Sequence, residues 1–186
     1  MKESAFNPER LDVKRLAHEA AKLSGAWPQE RFTRLTSEAL PPLADGPGLE
    51  VDWTVAGEER AVTGGAPQLW LHLQAQTQIR LECQRCLMPM TARMKIDRHF
   101  LFARDEEHAA QLDEELEDEV LVLARTLNLA DLVEDELILA LPIVPRHETC
   151  PVPLRHDIDV TGVVSQPKPN PFAVLATLKK PGPVDK

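Results

Sequence analysis

The 186-residue chain contains no tyrosine, and aromatic residues make up only 4% of it. A platform of stacked rings for single-stranded RNA is hard to build from so few. Cysteine is scarce as well: three residues, an odd number, do not make a disulfide framework. Reduced thiols in the cytoplasm are the expectation. No apolar run approaches the roughly 20 residues a membrane span needs, and the opening MKESAFNPER lacks the apolar stretch of a signal peptide. No membrane partner is expected. Catalytic motifs are missing too. None of the four serines lies in G-x-S-x-G, and there is neither a P-loop nor a G-x-G-x-x-G. His18-Glu19 and His147-Glu148 lack the second histidine of a metalloprotease helix. These absences point away from an enzyme.

What is present starts with charge. The formal net charge is -9. Residues 105–119, DEEHAAQLDEELEDE, hold nine acidic residues and no Lys or Arg. Without them the remaining 21 acidic residues balance the 21 Lys and Arg of the chain. Net acidity opposes indiscriminate binding to phosphate, which needs clustered cations, but leaves room for a local basic face. The acidic run reads as a solvated loop or a weak helix. It is able to mimic phosphate or hold a basic protein, or simply to stay solvated.

Periodicity supplies the elements. Residues 7–24 read as one helix, with Asn7 as cap, Pro8 in the first turn and Gly25 just beyond. Residues 50–56 suit a short strand. From Leu69 to Leu81 apolar residues alternate with polar ones, and the same alternation resumes from Ala92 to Phe102, broken at Arg98. This predicts a long antiparallel hairpin over 69–103 with Cys83 to Met90 at its tip. Residues 119–124 suit another strand. Residues 128–140 suit a helix, capped by Asn128 and stopped by Pro142. The fold class is α+β: a bent antiparallel sheet of about four to six strands with two principal helices. Residues 1–160 form one domain on this reading. Residues 161–186 form a proline-rich tail, with an apolar docking segment at 170–180 that contains Phe172, Leu175 and Leu178.

Two groups of residues are candidate sites. Cys83 and Cys86, two residues apart at a tight turn, offer two thiolates to one ion. His147 and Cys150 repeat that gap with a histidine in place of the first thiol. Together they make a Cys3His set for one structural zinc, with His156 as competing fourth ligand. Free thiols buried as small hydrophobes are the plain alternative. A thiol redox pair is another, although such a pair usually opens a helix. The second group is cationic. Arg80, Arg85, Arg93, Lys95 and Arg98 surround the hairpin tip and are candidates for RNA phosphate or 2′-OH contacts. Their plain alternative is a solvated face that keeps a hairpin soluble.

Three motifs in order carry a resemblance. CQRCLMPM after the long alternating strand resembles the Cys-x-Arg-Cys-Leu signature of the YceD family, the large ribosomal RNA subunit accumulation proteins. DLVEDELILALPIVPRHETC resembles its second signature, and NPFAVLATLKK its C-terminal Asn-Pro-Phe-x-x-Leu motif. The resemblance implies a role in synthesis, processing or stability of the large-subunit ribosomal RNA, without known catalytic residues. The implied partner is a ribosomal RNA precursor or a large-subunit assembly intermediate. It also implies that Cys83, Cys86 and the 147–150 segment belong to one site. An acidic adaptor for ribosomal proteins that never touches RNA is the rival reading, and a zinc or thiol redox protein another.

Overall fold

The computed structural model describes residues 6–41, 49–116, 118–152 and 172. The chain divides into two units, Met1–Val152 and Pro153–Lys186, and the architecture below is that of the first. In chain order the elements are α1 (Val13–His18), β1 (Lys22–Pro28), α2 (Thr33–Ser37), β2 (Glu50–Arg60), β3 (Gln68–Glu82), β4 (Pro89–Ala103), α3 (Glu106–Glu115), β5 (Glu119–Val122) and α4 (Leu129–Leu139). The class is α+β, as the sequence predicts.

The five strands form one open sheet in the order β1-β2-β3-β4-β5. The first four are antiparallel neighbours, and the register runs unbroken along the long hairpin from Leu69 opposite Phe102 to Glu82 opposite Pro89. β5 lies parallel to β4, so the sheet is mixed rather than purely antiparallel. The reason is the acidic run. Asp105 caps a helix by accepting from the His108 N–H at 2.8 Å, and α3 carries the chain back so that β5 starts from the same end as β4. A parallel pairing needs such a crossover.

Alternation sets the faces. Leu71, Leu73, Ala75 and Ile79 of β3 point to one side with Val51 and Val55 of β2, and all are buried. On that side α1 packs on β2 and β3, and α4 on β4, closing the core with Leu16, Leu35, Val133 and Leu137. α2 is tied to α4 by Glu134. The residue before α2, Phe32, offers no side-chain cap, and the Glu134 carboxylate instead accepts from the Arg34 and Leu35 N–H groups at 2.8 and 3.2 Å. Toward the hairpin tip the opposite face carries Gln74, Gln76 and Gln78 beside Arg93 and Lys95 and is polar, while at the far end it buries Trp70 and Leu101.

The predicted helix over 7–24 is not continuous. Asn7 caps a 3-10 turn at Pro8–Arg10. Leu11 then leaves helical geometry to exchange both backbone hydrogen bonds with Leu127, at 2.8 and 2.9 Å. Asp12 caps the short α1, and Ala20, at φ 45°, reverses the chain into β1. Gly25 sits inside β1 rather than behind a helix end. The helix 128–140 forms as predicted, with Asn128 accepting from the Ala130 N–H at 3.1 Å.

Candidate metal centre at the hairpin tip

Six residues, Cys83 to Met88, join β3 to β4. The Cys83 N–H donates to the Met88 carbonyl at 3.0 Å, and the Leu87 N–H to the Cys83 carbonyl at 2.8 Å. Leu87 takes the left-handed conformation, φ 59°, that closes so tight a turn. The turn brings Cys83 and Cys86 to one side. After α4 the chain runs past the tip, where the Gln84 N–H donates to the Pro145 carbonyl at 2.9 Å. That bond delivers His147 and Cys150.

The ligand atoms of Cys83, Cys86, His147 and Cys150 all lie within 4.8 Å of one another. Two edges of this group are 3.9 Å, between the sulfurs of Cys83 and Cys150, and 3.5 Å, between the Cys86 sulfur and His147 Nδ1. A tetrahedron around zinc, with sulfurs at ~2.3 Å and nitrogens at ~2.1 Å, has edges of ~3.8 and ~3.6 Å. These two edges match that geometry, and the four side chains together could hold one metal ion. A set of four protein ligands leaves no open position for substrate, which suits a structural centre rather than a catalytic one.

Around Cys83 the surroundings favour thiolate. Burial pushes the Cys83 thiol up, but backbone N–H groups of His147, Arg85 and Cys86 and the His147 side chain outweigh it, and the thiol falls to about 5. The His147 N–H stands 3.4 Å from the Cys83 sulfur. Cys86 moves the other way: burial, partly offset by the Met88 N–H, and the adjacent Cys150 and Cys83 thiols raise it. Arg85 Nε donates to the Cys150 sulfur at 3.0 Å, and Nη2 donates to the His147 and Glu148 carbonyls at 3.1 and 3.4 Å. The pair Cys83 and Cys86 sits in a strand-to-strand turn, away from the helix N-terminus that lowers thiols in redox pairs. His156 lies outside the described residues.

The cations around the tip separate. Arg80, Arg93 and Lys95 share the outer, polar face of the hairpin; Arg80 donates through Nη1 to the Pro41 carbonyl. Arg98 stands opposite Leu73 in the core-facing register. Its side chain reaches Glu136 of α4, Nε to oxygen 3.5 Å. The break in alternation at Arg98 is thus an edge ion pair to a buried carboxyl, which burial raises above the usual range. Arg85 is turned onto the candidate metal ligands. Sequence reasoning missed that role, although the position of an arginine between two thiols was its signal. It also missed Arg146, which lines a groove with Arg80. In the tail, Phe172 is 68% exposed, while Leu175 and Leu178 lie outside the described residues.

Comparison with known proteins fits this picture. The family model described as large ribosomal RNA subunit accumulation protein YceD matches residues 71–179, a span that contains both halves of the candidate centre. A curated relative of that same description, from Haemophilus influenzae, is 38% identical over 112 residues, 58% of this chain and 63% of the relative. The chain thus spans less than two thirds of that relative. No solved structure matches.

Proposed function

From the premise that the chain belongs to the YceD family, which its match over residues 71–179 establishes, we propose that it supports accumulation of the large-subunit ribosomal RNA in the cytoplasm, by binding rather than by catalysis. The family membership carries this reading. The hairpin adds a physical route: Arg80, Arg93 and Lys95 stand on one polar face, suited to phosphate and 2′-OH groups rather than to base stacking. One structural zinc, held by Cys83, Cys86, His147 and Cys150, would fix the hairpin tip to the segment after α4. The ligand spacing supports that assignment. The acidic α3 is suited to a basic ribosomal protein, and a large-subunit assembly intermediate offers both partners at once.

The test is recovery of the tagged chain from cells, with sequencing of the RNA that comes with it. Precursor large-subunit RNA should be enriched, and charge reversal at Arg93 and Lys95 should abolish the enrichment. Association that persists after both reversal and nuclease treatment would instead favour an adaptor that touches only protein. In parallel, purified protein should hold about one zinc per chain, lost in Cys83→Ser and Cys150→Ser.

A further inference from the structure

Beside the candidate centre opens a groove of about 780 Å³. One wall is the hairpin, with Arg80, Met90 and Thr91; the other is the segment from Arg146 to Thr149. That second wall is irregular chain with no place in the sheet. The described contacts that hold it run to the tip turn: the Gln84 bond to Pro145, the Arg85 bonds to the carbonyls and to Cys150, and the close approach of the four metal ligands. A metal ion at the centre would add four bonds to these contacts and fix the wall further.

We propose that this groove seats a phosphodiester of RNA between Arg80 and Arg146, and that closing the metal centre is what assembles it. The inference rests on the RNA-binding reading above and adds to it a site, a residue and a dependence on metal. Arg146 is exposed and makes no hydrogen bond or ion pair with the other described residues. Arg80 is fixed by its bond to the Pro41 carbonyl, and its guanidinium keeps further donors. Thr91 and Thr149 add hydroxyl donors to the same walls. Beyond the groove the cations continue: Thr91 is followed on the same face of β4 by Arg93 and then Lys95, at steps of roughly 6.7 Å along an extended strand. Arg80 belongs to the hairpin and is in place with or without metal. A metal bridging His147 and Cys86 would hold Arg146 facing it. Glu148 lines the same groove and opposes an anion there.

The experiment titrates a fluorescein-labelled RNA stem-loop with the zinc-loaded full chain. Arg146→Gln should weaken binding roughly tenfold and lower the salt dependence by about one counterion, with zinc content unchanged. Glu148→Gln should tighten binding. Removing the metal should weaken wild type at least as much as Arg146→Gln does, and the substitution should then have no further effect. Arg93→Gln should cost the same with and without metal. Unchanged affinity of Arg146→Gln with its zinc intact would overturn the proposal even if metal-free protein fails to fold. Metal-free wild type that binds as tightly as loaded protein would overturn it too. Should the loaded wild type bind no RNA while Arg93→Gln behaves identically, the broader RNA reading falls as well.

Discussion

The Arg85 guanidinium lies on the Cys150 sulfur, Nε to Sγ 3.0 Å, although 65 residues separate them in the chain. Three thiolates and a neutral imidazole around a divalent cation would leave one negative charge, which this guanidinium would offset. The same side chain also satisfies the His147 and Glu148 carbonyls, so one residue would both balance the charge and hold the segment that carries His147 and Cys150. Arg85→Ala should therefore lower zinc affinity by roughly ten- to hundredfold, the usual cost of losing an outer-shell partner. Arg85→Lys should recover only part of it, since an ammonium lacks the planar fork. Competition with a chromogenic chelator measures both.

Cys83 already favours thiolate without metal, at about 5. Zinc binding near neutral pH should consequently release fewer protons than the three thiols would supply separately, a count that calorimetry in buffers of different ionisation enthalpy gives directly. The same shift sets a pH dependence for the metal-free chain. The folded value lies below the ordinary thiol value of 9.0, so the unfolded state binds more protons between the two. Stability should rise from about pH 5 to about pH 9 and lose this contribution below that window. In Cys83→Ser the slope should flatten, as read by denaturant unfolding at each pH.

Gly57 marks the closest approach of α1 to the sheet. A Cβ there would stand 2.5 Å from the Leu16 carbonyl carbon and 2.6 Å from the Ala17 nitrogen, both backbone atoms that cannot swing aside. Gly57→Ala should destabilise the fold by about 3 kcal/mol, as overpacking against a rigid neighbour does. A shift of the urea midpoint with an unchanged slope is the expected signature.

Glu134, 8% exposed, supplies the acceptors that α2 lacks at its start. Glu134→Ala should cost roughly 1–3 kcal/mol by leaving those N–H groups unpaired. Arg34→Ala should cost less, because the backbone bonds survive and the Arg34 side chain is 54% exposed. Hydrogen exchange at the Arg34 and Leu35 amides distinguishes the two: protection is lost in the first variant and kept in the second.

The long hairpin and the caps at Asn7 and Asn128 were legible in the chain itself, whereas β1 was not, since residues 22–24 read as the end of a helix. The period-two alternation over residues 69–103 gives the hairpin and its faces, because side-chain direction along a strand is a local property. Asn128 gives the start of α4 for the same reason, since a cap acts within a few residues. The grouping of Cys83, Cys86, His147 and Cys150 was legible from their matching gaps, and membership of the family from three motifs in order.

Tertiary structure decided the rest, and in each case a partner distant in sequence made the choice. The helix expected at 7–24 breaks because Leu11 pairs with Leu127, a bond that local periodicity does not contain. β5 runs parallel because the acidic stretch folds into a crossover, although its composition alone suits a solvated loop equally well. Arg98 leaves the other cations for Glu136, and Arg85 leaves them for Cys150, since strand register and a turn assign arginines close in sequence to different surroundings. Sequence determined which groups are available and how each short segment prefers to fold. Only long-range pairing, which trades chain entropy for buried contacts, determined which of those groups meet.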